Sequence, residues 1–164
     1  VDLMRRAGID VTTVSVSDSP VVCGAHSIIV TPDTFMSSVS LDDADLLVCP
    51  GGMPGAANLA ACAPLSAALK AQAAAGRLVG AICAAPAVTL APLGLLNGKR
   101  ATCYPGFEAP LTDGGATHQE ARVVVDGNII TANGPSSAIP FALALIEALE
   151  GPEAARKVAD GILL

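Results

Sequence analysis

Cys83 stands where an apolar run gives way to a string of small residues, Leu78–Ile82 on one side and Ala84–Pro86 on the other. A run of this length and composition predicts a buried strand, and Pro86 suits the first turn of a helix, where its missing N–H costs little. A cysteine between a strand and a helix resembles the elbow that exposes the nucleophile of hydrolases, and helical N–H groups favour a thiolate there. Cys83 is therefore the candidate catalytic nucleophile.

Local sequence alone does not make this cysteine reactive. A helix end stabilises a nearby negative charge by about 0.3–1 kcal/mol, which is too little to ionise a thiol fully at neutral pH. A second group is therefore required, and no acid or base lies close to Cys83 in the sequence. The alternative is a buried structural thiol, because free cysteines often pack as small apolar residues.

A glycine-rich loop, Pro50–Gly55, follows a second apolar run. Glycines at the end of a buried strand let the backbone approach a ligand and turn its N–H groups toward an anion. The N–H groups of Gly52 and Ala84 could thus form an oxyanion hole beside Cys83, with Gly51 as a candidate pocket residue. The alternative is a phosphate cradle, but neither a G-x-G-x-x-G nor a Walker pattern follows a strand here.

Composition argues against several classes of function. The net charge is −6 and the nine Lys and Arg residues are scattered, which disfavours binding to nucleic acid. No apolar run approaches the roughly 18–20 residues of a membrane span. Five cysteines without a C-x-x-C pair, and two distant histidines, disfavour both a disulfide framework and a metal site. We expect a reducing, cytoplasmic location, no metal and no cofactor.

Strands alternate with helices along the chain, which predicts an α/β fold with a doubly wound, mostly parallel sheet. Strands are expected at Val11–Ser17, Asp45–Cys49, Leu78–Ile82 and Arg100–Cys103, with a hairpin around Asp126-Gly127 and a small hairpin or edge excursion at Val21–Val30. Helices are expected at Pro54–Ala61, Pro64–Ala75, Ala84–Leu90, Ser136–Glu150 and Glu153–Leu164, a loop at Thr31–Asp43, and a loop or irregular helix at Tyr104–Gly115. In such folds ligands bind beyond the C-terminal ends of the strands, where the loops around Gly52 and Cys83 both lie.

Several segments together resemble the ThiJ/PfpI superfamily, in its DJ-one branch. The matching segments cover nearly the whole chain in the family's order: Met4–Gly8, Asp45–Gly52, Gly55–Leu59, Ala81–Pro86, Thr102–Glu108, Arg122–Thr131 and Phe141–Leu149. The resemblance implies a single flavodoxin-like domain over residues 1–164, a homodimer, a catalytic Cys83, and oxyanion N–H groups from Gly52 and Ala84.

The implied activity is that of a glyoxalase III-type hydro-lyase or protein deglycase without a cofactor. Its substrates would be methylglyoxal or glyoxal, free or as adducts on glycated proteins, and its products lactate or glycolate. One alternative is a redox-sensing, oxidative-stress chaperone with negligible turnover. A second is an amidase or peptidase of the same superfamily, which would need a histidine beside Cys83.

The chain departs from the family pattern at several points. The family's protonated glutamate and the first strand of its sheet precede the segment that matches Met4–Gly8, so we expect an N-terminally incomplete domain. The S-R-G-P-G of relatives is A-N-G-P-S here, which makes Pro135 a candidate at the pocket rim. His118 is a further candidate pocket residue. Cys23 matches a cysteine near the dimer interface of relatives and is a candidate for oxidation.

Overall fold

The computed structural model describes all 164 residues, and its elements alternate as the sequence predicts. The ten strands are β1 Val14–Ser15, β2 Val22–Cys23, β3 Ile29–Val30, β4 Thr34–Phe35, β5 Leu46–Cys49, β6 Leu78–Ile82, β7 Arg100–Ala101, β8 Thr117–His118, β9 Val123–Asp126 and β10 Ile129–Ala132. The six α-helices are α1 Asp2–Arg6, α2 Gly55–Ala61, α3 Ala63–Ala74, α4 Glu108–Asp113, α5 Ala138–Glu150 and α6 Pro152–Gly161.

The central sheet has the order β5-β6-β10-β9. Strands β5, β6 and β10 are parallel, and β9 joins β10 as an antiparallel hairpin through the predicted Asp126-Gly127 turn. Leu46 pairs with Leu78 and Cys49 with Ala81, so β5 and β6 end side by side. This register brings the two loops that follow them to the same edge of the sheet.

Helices cover both faces of this sheet, because alternate residues of each strand point to opposite sides. One apolar cluster, which includes Val79 and Ala81, packs the sheet against α2, α3 and the segment after Cys83. The other, which includes Ile130 and Ala132, packs it against α1, α5 and α6. The layered, doubly wound α/β fold is therefore confirmed.

Short strand pairs lie beside the central sheet, and two of their strands were missed in the sequence. The segment Thr31–Asp43, predicted as loop, contains β4, which pairs in parallel with β1. Strand β8 pairs with β7 and was not predicted. Both missed strands have two residues, which is too short for an alternating pattern to show. The predicted hairpin of β2 and β3 is confirmed.

Candidate active site

Cys83 lies directly after β6 with a backbone φ of +65°, in the left-handed region that residues with a Cβ rarely adopt. Its N–H donates a hydrogen bond to the carbonyl oxygen of Ala132 at 2.8 Å, and its own carbonyl oxygen accepts one from the N–H of Tyr104 at 2.8 Å. Two neighbouring segments therefore hold the strained residue in place. Its side chain is half-buried, so the thiol can be reached from solvent.

The backbone after Cys83 is not the regular α-helix predicted over Ala84–Leu90. It forms a π-helical turn at Pro86–Leu90, followed by a 3₁₀ turn at Ala91–Leu93. Pro92 lacks an N–H, which prevents the ladder of helical hydrogen bonds from continuing past the π-helical turn. So short an element has a smaller helix dipole than a regular helix would. Stabilisation of negative charge at Cys83 therefore depends more on individual N–H groups.

The glycine-rich loop after β5 packs directly against the cysteine turn. An ideal Cβ placed on Gly51 would be 2.4 Å from the Cβ of Cys83, 2.5 Å from the carbonyl oxygen of Ile82 and 3.1 Å from the nitrogen of Ala84. Only a residue without a side chain fits at this distance. Gly52, the next residue, has a φ of +85°, which glycine adopts without strain.

Two backbone N–H groups beside Cys83 are free to bind a ligand. Neither Gly52 nor Ala84 belongs to a helix or strand, and neither N–H donates a hydrogen bond to another protein atom. Ala84 is 2% exposed, so its free N–H is a buried donor that protein or ligand atoms must satisfy. An anionic oxygen is the ligand that such donors suit.

A buried hydrogen bond ties together the segments that follow the two loops. The hydroxyl of Thr89, which is fully buried, donates to the carbonyl oxygen of Ala56 at 3.0 Å. Thr89 lies in the π-helical turn after Cys83, and Ala56 lies in α2 after Gly51 and Gly52. The bond therefore helps to fix the cysteine turn against the glycine-rich loop. No pattern in the sequence predicts this bond, because its partners are 33 positions apart.

Two hydrogen bonds of Thr102 attach the segment before Tyr104 to its neighbours, one of which is strand β10. The N–H of Thr102 donates to the hydroxyl of Thr131 at 3.0 Å, and the hydroxyl of Thr102 donates to the carbonyl oxygen of Ala121 at 3.0 Å. These bonds fix the segment that contains Cys103, a buried thiol, next to the cysteine turn. Neither Cys103 nor the backbone role of Tyr104 was predicted. The segment Thr102–Tyr104 was recognised as part of the family resemblance, but its residues alone do not indicate which strand the segment lies beside.

A polar cavity of about 390 Å³ lies beside this segment, and Cys83 is not among the residues that line it. The lining residues are Thr102, Cys103, Pro105, Glu108, His118, Glu120, Ala121, Arg122 and Asn133. The structure therefore places His118 in the lining of this cavity, together with Cys103. Glu108 also lies there, and its carboxylate accepts a hydrogen bond from the N–H of Gly106 at 2.7 Å.

Two candidates remain, Pro135 and Cys23. Pro135 is exposed and begins a 3₁₀ turn after Gly134, whose Cα faces the ring of Tyr104. Cys23 is exposed on the hairpin of β2 and β3. The structure thus groups Cys83 with Gly51 and Ala84, and it places His118 in the polar cavity and Cys23 on the exposed hairpin.

Three further findings concern the Cys49 thiol, metal binding and membrane spans. Burial raises the pKa of the Cys49 thiol to about 12, so that cysteine stays protonated in the core. No group of three or more His, Cys, Asp or Glu side chains is arranged to hold a metal ion. None of the helices combines the length and the apolar character that a membrane span requires.

Comparison with known proteins places this geometry in a family. A profile of the DJ-1/PfpI family matches residues 1–148. The chain is 42% identical over 164 residues to protein DJ-1 homolog B of Arabidopsis thaliana, covering all of this chain and 37% of that protein, so it spans well under half the length of that curated relative. It is 39% identical over 152 residues to the glutathione-independent glyoxalase DJR-1.2 of Caenorhabditis elegans, covering 93% of this chain and 80% of that protein.

The fold matches solved structures of the same family. The structure titled Toxoplasma gondii DJ-1, oxidized, superimposes with a TM-score of 0.93 at 43% identity, covering 99% of this chain and 87% of that one. Both the sequence and the fold therefore confirm the resemblance on which the function was predicted. The chain belongs to the DJ-1/PfpI family.

Proposed function

We propose that this chain carries the cysteine centre of a glyoxalase III-type enzyme that needs no cofactor. Its substrates are methylglyoxal or glyoxal, free or as adducts on glycated proteins, and its products are lactate or glycolate. The observation that carries the proposal is Cys83 in a left-handed turn, with the unpaired N–H of Ala84 next to it and that of Gly52 on the loop that packs against the turn. The 39% identical relative named a glutathione-independent glyoxalase supports the same chemistry.

The reaction begins with attack of the Cys83 thiolate on the aldehyde carbon of methylglyoxal. A C–S bond forms, the C=O bond opens, and the oxygen takes the negative charge. The N–H groups of Gly52 and Ala84 donate to this oxygen, and their stabilisation grows as the charge develops. The product of this step is a hemithioacetal on Cys83.

The hemithioacetal then isomerises by proton transfer. The proton on the former aldehyde carbon is removed, and the neighbouring carbon is protonated, which gives a lactoyl thioester on Cys83. Family resemblance assigns this transfer to a glutamate upstream of Val1. Water hydrolyses the thioester, which releases lactate and restores the thiol.

Release of lactate from methylglyoxal by the full-length protein tests the proposal. Cys83→Ser should lower kcat/KM by at least about 1,000-fold, because a hydroxyl is a far weaker nucleophile than a thiolate. Cys62→Ser is the matched control, since Cys62 lies between α2 and α3, away from the elbow, and this variant should retain turnover. Full activity in Cys83→Ser would refute the mechanism.

Redox sensing is the second candidate function. Cys83 combines partial exposure with neighbouring N–H donors, and the thiolate that attacks aldehydes is also the form that peroxides oxidise. Sulfinate at Cys83 under mild peroxide, together with lactate release at background, would favour this function over the enzyme. The amidase or peptidase alternative needs a histidine beside Cys83, and the two histidines lie in the β2–β3 hairpin turn and in the polar cavity.

We further propose a homodimer that uses the β2–β3 hairpin. Large apolar side chains are exposed on it, with Ile28 at 64% and Ile29 at 65%. Apolar clusters of this kind mark interaction surfaces in soluble proteins. Light scattering after gel filtration tests the assignment. Ile29→Lys should shift the dimer to monomer, and a dimer unchanged by this substitution would contradict it.

A further inference from the structure

Cys103 is a second thiol beside Cys83 that the proposed mechanism does not use. It is 2% exposed and immediately precedes Tyr104, whose N–H donates to the carbonyl oxygen of Cys83 at 2.8 Å. This hydrogen bond joins the cysteine turn to the segment that contains Cys103. Thr102, on the other side of Cys103, is fixed by two hydrogen bonds of its own.

The distance between hydrogen-bonded neighbouring segments suits a disulfide. Neighbouring hydrogen-bonded segments lie about 4.7–4.9 Å apart. Cysteines form disulfides when their Cα atoms are about 4.4–6.8 Å apart, and bridging at larger distances requires backbone movement. The hydrogen bond between Tyr104 and Cys83 therefore suits the close approach of the two cysteines that a disulfide requires.

The other cysteines are placed less well to bridge Cys83. Cys49 pairs with Ala81, two residues before Cys83, and lies in the apolar core below the turn. Cys62 lies between α2 and α3, and Cys23 lies on the exposed hairpin. Cys103 alone adjoins a residue that is hydrogen-bonded to Cys83.

We propose that Cys103 is a resolving thiol that closes a reversible disulfide with Cys83 after a hydroperoxide oxidises Cys83. In the first step the Cys83 sulfur attacks the hydroperoxide, the O–O bond breaks, and an alcohol or water leaves. Cys83 is then a sulfenic acid, oxidised by two electrons. In the second step the Cys103 sulfur attacks the Cys83 sulfur, and the S–O bond breaks. Hydroxide leaves and takes the Cys103 proton as water.

The electrostatics separate the roles of the two thiols. Burial, together with the negative charges of Glu108 and Cys83, raises the pKa of the Cys103 thiol to about 11. Cys103 therefore remains protonated and shielded from solvent, so a peroxide oxidises Cys83 first. Conversion of Cys83 to a neutral sulfenic acid removes the charge that opposes ionisation of Cys103, which favours the second step.

The consequence is protection against irreversible oxidation. A sulfenic acid without a neighbouring thiol is oxidised further to sulfinic acid, which thiols do not reduce. Closure of the disulfide removes the sulfenic acid, and a cellular thiol can reopen it. The inference rests on the reactivity of Cys83 that the proposed function also requires, but it does not require turnover.

Peptide mapping tests the proposal on the full-length protein. The reduced protein is treated with one equivalent of hydrogen peroxide, alkylated in denaturant and digested with trypsin without reductant. Trypsin separates Cys83 on residues 78–99 from Cys103 on residues 101–122, whereas the other three cysteines share residues 7–70. The proposal predicts that the peptides 78–99 and 101–122 are linked, and that reductant separates them. Linkage of Cys83 to residues 7–70, or sulfinate at Cys83 without a link, would overturn it.

Two variants sharpen the test. Cys103→Ala should accumulate at least about fivefold more sulfinate at Cys83 than wild type, because its sulfenic acid has no resolving partner. Cys49→Ala removes an equally buried thiol and should form the same link as wild type. Should Cys103→Ala fail to fold, the mapping of the wild-type protein decides by itself. A link without lactate release refutes the glyoxalase alone, and lactate release without a link refutes the resolving thiol alone.

Discussion

Gly51 lies against Cys83 so closely that a Cβ on Gly51 would be 2.4 Å from the Cβ of Cys83. The contact arises because β5 and β6 end side by side, so the loops that follow them meet. A side chain at Gly51 would also come within 2.5 Å of the carbonyl oxygen of Ile82, and both atoms belong to the cysteine turn. The glycine-rich loop and the cysteine turn are therefore one structural unit.

Gly51→Ala should displace the cysteine turn. We expect kcat/KM for methylglyoxal to fall by about 100-fold, because catalysis tolerates little misplacement of the nucleophile. The free energy of unfolding should fall by about 1–3 kcal/mol from overpacking. Gly55→Ala is the control, since nothing lies within 4 Å of its added Cβ. Equal effects of the two substitutions in activity and urea unfolding would argue against the contact.

The left-handed backbone of Cys83 stores strain that glycine would relieve. Cys83→Gly and Cys83→Ala both remove the thiol, but only glycine adopts a φ of +65° without cost. Cys83→Gly should therefore be more stable than Cys83→Ala by about 1 kcal/mol in urea unfolding. The same free energy of unfolding for both variants would show that this turn is not strained.

Thr89→Val tests the buried link between the two loops. Valine keeps the shape of threonine but cannot donate to the carbonyl oxygen of Ala56. The free energy of unfolding should fall by about 1–2 kcal/mol, because a buried hydrogen bond is lost. Thr89→Ser retains the hydroxyl and should keep the activity of wild type more nearly than Thr89→Val does. A fully active Thr89→Val would mean that the link does not position the site.

Acid should weaken the attachment of β7 to the β9–β10 hairpin through Asp126. The hydrogen bond from the N–H of Arg100 to this carboxylate, with the nearby charges of Arg100 and Lys99, lowers the pKa of Asp126. Because the folded pKa lies below the unfolded one, the unfolded state binds more protons, and stability rises with pH. The contribution is complete above about pH 4 and is lost as the pH falls further.

Asp126→Asn should therefore flatten the acid limb of a plot of unfolding free energy against pH. Asp43→Asn changes an exposed carboxylate in a loop, without a hydrogen bond to its side chain, and serves as the control. The control should follow the wild-type profile. An acid limb that is unchanged in Asp126→Asn would refute the assignment.

Much of the fold could be predicted because its strongest patterns are local. The apolar run Leu78–Ile82 coincides with β6, and Asp126-Gly127 marks the turn of the β9–β10 hairpin. The helix predicted over Ala84–Leu90 is present as a π-helical turn rather than a regular α-helix, and a 3₁₀ turn that contains Pro92 follows it. Short strands such as β4 were missed because two residues carry no periodicity.

The site was predicted only in its local part. Cys83, Gly52 and Ala84 could be proposed because each follows a recognisable strand. Cys103 and Thr89 could not, because their roles depend on which segments become neighbours in space. His118 was proposed because some members of the family carry an active-site histidine near this position, and the structure places it in the lining of the polar cavity.

The central claim is that Cys83 bonds covalently to the dicarbonyl during turnover. Rapid acid quench of full-length protein mixed with methylglyoxal, followed by mass spectrometry of peptide 78–99, tests it most directly. We predict an adduct with the mass of one methylglyoxal on Cys83 that forms and decays at the rate of lactate release. Lactate release at full rate without such an adduct, or with the adduct on another cysteine, would contradict the account.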